Sequence, residues 1–208
     1  MNRTVFEDVG ELETRLGLPS DFYKKLLQED DWSFVIKLNA LFEGACTHVL
    51  TVRLHAPELN EAFAHLELAN AKYGKVELLK SLGSITSEQA KILCSLATLR
   101  NTLVHNVANV GFSFKSHVAN FDSNQLKSLV KNFGHGVQDT IEIARKKIPK
   151  AQFVRENPKL SLWLTAAEVL ACLYLELESV ELHLRKSALA KYAALAHESN
   201  ALLQRLPK

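Results

Sequence analysis

Between Leu99 and Val107 the chain reads Arg100-Asn101-Thr102-Leu103-Val104-His105-Asn106, a group of side chains whose types and spacing could carry chemistry. On a helix Asn101 and His105 share a face, while Arg100 lies about 140° from His105 at about 100° per residue. The guanidinium must therefore reach round the helix end, or act opposite the histidine of a second subunit. These residue types suit RNA cleavage without a metal ion. In that reaction a 2′-hydroxyl attacks the neighbouring phosphorus, and a group titrating near neutrality has to handle the protons; His105 is that group. Charge developing on the phosphorane oxygens needs a planar, permanent cation, which Arg100 supplies better than a lysine. Asn101 can hold the imidazole or bond a phosphate oxygen. Glu43, the lone acid inside a long apolar helix, is a candidate support, because pairing with Arg100 or His105 would tie two helices together.

A second candidate group is basic. The segment from Ala144 to Lys159 holds six Lys or Arg against one acid, together with two prolines. Lys146, Lys147, Lys150 and Arg155 are its candidate RNA contacts. Phe153 is nearly the only aromatic that could stack on a base, so a solvated connector is the favoured reading of the same residues. His48, His55 and His65 are isolated, with no His, Cys or acid at ligand spacing, and no metal site is expected. His135, flanked by Gly134 and Gly136, reads either as a turn near a substrate or as a helix kink. The chain has no phosphate-binding Gly-rich loop and no serine-elbow or zincin pattern, so no cofactor is expected.

The elements that carry these groups are helical. In 208 residues with 47% hydrophobic and 23% charged content there is room for one well-filled core. The expected organisation is a single domain with its core over 31–143, a basic connector over 144–159 and a long helix over 160–205. Net charge is +2, yet residues 1–69 hold six Lys/Arg against twelve Asp/Glu, while 70–208 hold nineteen against eleven. The candidate site thus lies in the basic part; a basic surface attracts polyanions, but over so many residues solvated lysines account for most of this excess. The opening MNRTVFEDVG is charged rather than apolar, which predicts no secretory signal and a cytoplasmic location. The apolar run from Leu160 to Leu177 contains Glu168 and Glu176 and reads as a buried amphipathic helix, with no membrane association expected. Cys46, Cys94 and Cys172 are far apart among apolar neighbours, as buried thiols in a reducing compartment would be.

Spacing locates the helices. Asp21 and Asp31 are expected N-caps. Val35, Leu38, Phe42, Ala45, Val49 and Val52 recur alternately three and four apart, a seam for the longest core helix. Gly83 is an expected stop, Thr86 with Gln89 a capping box, and Ile92, Leu93, Leu96, Leu99 and Leu103 the buried stripe of the helix leading to His105. Residues 109–124 read as a loop, and Ser123 as the cap of a helix through Ile143 that Gly134 and Gly136 weaken. In the last long segment LYLELE and VELHLR alternate like strands, but Leu and Glu favour helix and no turn separates them.

Arg100, Asn101 and His105 in this setting resemble the HEPN superfamily, whose members carry Arg-x(4 to 6)-His, often with a polar residue after the arginine. The stretch KVELLKSLGSITSEQAKILCSLATLRNTLVHN is also similar to mannitol operon repressor-like proteins, and the resemblance spans roughly residues 31–110. It implies an all-α, antiparallel up-and-down bundle with added N- and C-terminal helices. It further implies a homodimer joined through the motif helices, with a composite site. Ribonuclease or toxin activity on RNA is one implied function, with a cognate antitoxin or regulatory protein as partner. A non-catalytic regulator or interaction module is the alternative.

Overall fold

The computed structural model describes residues 3–143 and 145–203, with side chains to His197. Its helices are α1 (Val5–Arg15), α2 (Phe22–Lys25), α3 (Asp31–Arg53), α4 (Asn60–Ala64), α5 (Lys75–Ser81), α6 (Ser87–Val104), α7 (Phe114–Ala119) and α8 (Ser123–Phe133). A hairpin of β1 (Thr140–Ile143) and β2 (Lys146–Pro149) follows, then α9 (Lys150–Glu156) and α10 (Pro158–Leu203). The fold is all-α, with one small hairpin.

A helix buries one stripe for each neighbour it has. On α3 the expected seam of Val35, Leu38, Phe42, Ala45 and Val49 is buried, and so are Phe34, Leu41, Cys46 and Leu50 on other faces. The extra burial follows from position, since α3 is packed by α4, α5, α6 and α10 together. Asp30, not Asp31, caps it by accepting from the Ser33 amide at 2.9 Å. Asp31 instead accepts from the Phe114 amide at 2.9 Å and pairs with Lys159 at 3.3 Å, fastening α7 and α10 to the start of α3. Asp21 precedes α2 in the left-handed region at φ 58° and makes no side-chain cap.

The N-terminal half of α10 is the other pillar of the core, packed by α1 and α3. Leu162, Leu170, Leu173 and Leu177 are fully enclosed. Both acids that interrupt its apolar run have partners: Glu176 accepts from the Ser84 hydroxyl at 2.9 Å and lies 3.5 Å from Arg53, and Glu168 meets His135. By length and composition α10 could cross a membrane, and 61% of its most apolar window is buried inside the protein, as in a core helix. The N-terminal segment is locked onto it by reciprocal bonds. The Tyr23 hydroxyl donates to the Trp163 carbonyl, the Trp163 indole N–H donates to the Tyr23 carbonyl at 3.1 Å, and the rings stack at 5.2 Å. Arg15 adds ion pairs with Glu178 and Glu181. Beyond Val180 the helix leaves the core, and every described side chain from Leu182 to His197 is exposed. The strand-like alternation of this segment does not prevail. Residues 204 and 205, expected at the end of this helix, lie outside the described residues.

Residues 107–156 depart most from expectation. Residues 107–111 form a 3-10 turn and α7 follows, with Phe114 and Val118 buried, where a loop was expected. Asp122 caps α8 and forms a capping box with Gln125, and the helix stops at Phe133 rather than Ile143. The expected basic connector is ordered. Ile141 pairs with Ile148 across the hairpin, Glu142 stands opposite Lys147, and both isoleucines pack against the core. Arg145, at φ 66°, takes the left-handed turn position that sequence reading expects of glycine or asparagine. Helix α9 then buries Phe153 and Val154, so Phe153 is no stacking platform for a base.

Candidate functional site

The end of α6 is held by its surroundings. Thr86 and Gln89 form a complete capping box at its start, with bonds of 2.8 and 3.2 Å, and the stripe from Ile92 to Leu103 is buried against α3. At its C-terminus the last turn of carbonyls would lack helical partners. Two are met by side chains: the Trp32 indole donates to Leu103 O at 3.5 Å and the Asn109 amide to Thr102 O at 2.8 Å. Asn106 turns the chain by accepting from the Ala108 amide at 2.9 Å. His105 is the C-cap residue, its backbone N–H donating to Asn101 O at 3.3 Å.

Arg100 is half-buried at the edge of the stripe, while Asn101 and His105 are exposed. The Arg100 guanidinium donates to the Asn101 side-chain oxygen at 3.0 Å, which draws it round the helix toward the face that Asn101 shares with His105. Among the described residues the His105 ring makes no hydrogen bond or ion pair, and Arg100 bonds only Asn101 through its side chain. Around them Val104, Val107 and Val110 are exposed by 38%, 85% and 58%, an apolar margin beside the polar trio.

Glu43 does not join this group. It sits on α3 eleven residues beyond Trp32, about 16 Å along the axis at 1.5 Å per residue. Its carboxylate accepts from the Asn39 amide at 2.8 Å, and the buried Lys75 ammonium donates to its backbone carbonyl at 3.4 Å and to that of Ala64 at 3.3 Å. Burial lowers the Lys75 pKa, and Glu43 acts in the opposite sense. Glu43 therefore belongs to a cluster between α3, α4 and α5.

Two further features lie outside the trio, the first of them not assigned from sequence. Between α6 and α7–α8 lies a cavity of about 280 Å³ whose lining includes Thr98, Thr102, His117, Phe121, Ser128 and Asn132. Thr98 and Thr102 are on the helical face that continues to His105. His117 stands edge-on to Phe112 and Phe121 at 5.4 and 4.7 Å, and burial lowers its pKa. The spacing of Phe114, His117 and Phe121 at three and then four residues was the available signal, within a stretch read as loop. The other is His135, whose Nδ1 lies 3.1 Å from Glu168. Its flanking glycines are required by packing: a Cβ at Gly136 would lie 2.7 Å from Leu164 O, and one at Gly134 2.6 Å from Val130 O.

Of the basic candidates, Lys146 and Lys147 are exposed on β2, whereas Lys150 and Arg155 line a groove of about 1030 Å³ between α8 and α9. The opposite wall carries Lys127 and Lys131. From Lys91 to Glu156 the sequence holds ten Lys or Arg against four acids. Among the described residues none of these ten pairs with a carboxylate, while Arg3, Arg15, Lys24, Lys37, Arg53, Lys80, Lys159 and Arg185 all do. The charge asymmetry of the sequence is thus concentrated on the stretch from α6 to α9.

Compared with protein-family models, curated proteins and solved structures, the chain matches none.

Proposed function

We propose that this protein is a metal-independent endoribonuclease of HEPN type, acting as a homodimer. The observation that carries the reading is the grouping of Arg100, Asn101 and His105 at a braced helix end, with Arg100 bonded to Asn101 and the His105 ring free of structural partners among the described residues. Residues that only held helices together would be spent on carbonyls or carboxylates, and the acid nominated for that purpose, Glu43, is engaged elsewhere.

In the proposed reaction the substrate 2′-hydroxyl loses its proton to a His105 imidazole as its oxygen bonds to phosphorus. The P–O5′ bond breaks, and the leaving oxygen takes a proton from an imidazolium, leaving a 2′,3′-cyclic phosphate and a free 5′-hydroxyl. One ring cannot stand on both sides of the phosphorus in the same step, which gives the second protomer a role. Arg100 balances the phosphorane charge. The exposed Val104, Val107 and Val110 suit burial against a partner copy beside the trio.

Mixed RNA incubated with the pure protein in excess chelator is expected to yield cyclic-phosphate ends. His105→Ala and Arg100→Ala are each expected to lose about 100-fold or more of that rate. Equal activity in all three overturns the site, and no cleavage by any of them overturns the reaction.

A non-catalytic interaction module is the second reading, with a regulatory protein or antitoxin as partner. It is favoured by the exposed half of α10, which presents Leu182, Leu189, Tyr192 and Leu195 with nothing packed on them in the described chain. Saturable binding of one protein, lost on removal of that helix half and accompanied by no RNA turnover, is the outcome it expects.

A further inference from the structure

The groove between α8 and α9 has a composition that folding does not explain. Lys127 and Lys131 lie one helical turn apart on one wall, Lys150 and Arg155 face them from the other, and Glu156 is the single acid of the lining. Glu156 already accepts from Gln152 at 2.9 Å, and none of the four cations has an acidic partner among the described residues. Lys127, Lys131 and Arg155 are exposed, so solvent screens much of their mutual repulsion, and together with Lys150 they leave the groove with a positive field that an anion would neutralise. Between them Leu126, Val130 and Ala151 supply an apolar surface. His135 also lines the groove. With Nδ1 on Glu168, its Nε2 is the ring nitrogen left to meet a ligand, and the close packing of Gly134 and Gly136 fixes the ring's backbone.

We propose that this groove binds nucleotide phosphates, with Lys127, Lys131, Lys150 and Arg155 neutralising them, His135 adding a contact and the apolar floor carrying the sugar or base. The dimensions suit this class. The volume lies at the upper end of the range for small-ligand sites. Lys127 and Lys131 are about 6 Å apart along the axis, a step comparable to that between successive phosphates of an extended strand. The Arg155 fork matches phosphate oxygens in two-point fashion. The lining contains no Phe, Tyr or Trp, so recognition runs through phosphate and is tolerant of base sequence. The nucleotide comes either free or as a unit of an RNA strand. The inference goes beyond RNA cleavage and does not depend on it, because no groove residue belongs to the Arg100–His105 trio.

The test is a binding measurement on the full chain carrying His105→Ala, so that scission cannot consume the probe. Labelled ribonucleotides of two to ten units and a nucleoside monophosphate are titrated by fluorescence anisotropy and competition at several salt concentrations. Lys127→Glu with Lys131→Glu, and separately Lys150→Glu with Arg155→Glu, are each expected to weaken binding at least tenfold. Each is also expected to reduce the slope of log affinity against log salt by about 0.7 per lost contact. A charge-matched control, Lys91→Glu with Lys115→Glu, lies outside the groove and is expected to change affinity less than threefold. Affinity that climbs with strand length assigns the site to RNA, and full competition by the monophosphate with no gain from length assigns it to a free nucleotide. The proposal fails if the parent binds neither probe, if the groove variants, folded by circular dichroism, bind as the parent does, or if the control weakens binding equally. Equal competition by poly-glutamate of the same charge also defeats it, since that makes the groove a site for acidic peptide.

Discussion

At Glu13 a carboxyl is enclosed beneath α1 and accepts a hydrogen bond from the Tyr23 amide. Burial raises its pKa above 4.5, with the Tyr23 bond acting in the opposite sense. A carboxyl whose pKa is higher folded than unfolded contributes stability below the unfolded value and loses it as pH rises through the folded value. At pH 7 the ionised group is thus a burden. Glu13→Gln keeps an acceptor for Tyr23 and removes the charge, so its melting temperature at pH 7 is expected to exceed the parent's by about 2–4 °C. The gain is expected to shrink as pH falls and to vanish only well below pH 4.5, where the parent carboxyl is neutral in both states; thermal melts by circular dichroism at a series of pH values check this. A gain that persists in acid would assign the effect to packing. The same scale explains why Glu43 was misread: Asn39, one turn earlier on α3, already engages its carboxylate, and Lys75 reaches its backbone carbonyl only once α5 packs against α3.

Among the elements, α6 was the most legible, because its cap and its stripe are set by near neighbours in sequence. The Thr86–Gln89 box spans three residues, and the Leu96-Leu99-Leu103 stripe repeats within two turns. The region after Phe133 was not, because its order depends on α10. Gly134 and Gly136 read locally as helix breakers, yet their role is to let the chain lie against Val130 and Leu164. The Gly136 amide donates to the Thr165 hydroxyl at 3.0 Å, and that hydroxyl donates to Phe133 O at 2.9 Å. Gly136→Ala would press a methyl onto the α10 backbone, which cannot yield as a side-chain tip can. It is expected to cost about 1–3 kcal/mol in urea unfolding. A neutral result would mean that this turn is not held against α10 in solution.

For the molecule as a whole, α10 unites two roles along a length of about 69 Å. Its first half is core; its second half, from Leu182 to His197, is exposed throughout. Removing the chain beyond Ser187 is therefore expected to leave the melting temperature at micromolar concentration within about 2–4 °C of the parent. A larger loss, growing with protein concentration in the parent, would place that half in contact with a second copy. Charge is also organised at this scale. Acids and bases pair among α1, α3, α5 and α10, while the cations of α6, α8 and α9 remain without carboxylates among the described residues.

The sequence by itself determined the helical class, the caps at Thr86 and Gly83, the seam of α3, the stripe of α6 and the adjacency of Arg100, Asn101 and His105, because these rest on periodicity and bonds within a few residues. It also disclosed that positive charge favours the second part of the chain. The tertiary structure alone decided that the connector is a hairpin and a helix, since Ile141, Ile148, Phe153 and Val154 gain their burial from elements distant in sequence. It alone parted Glu43 from the trio and set Lys127 and Lys131 across a groove from Lys150 and Arg155. Those outcomes depend on which helix lies beside which, and spacing along a single helix carries no information about its neighbour.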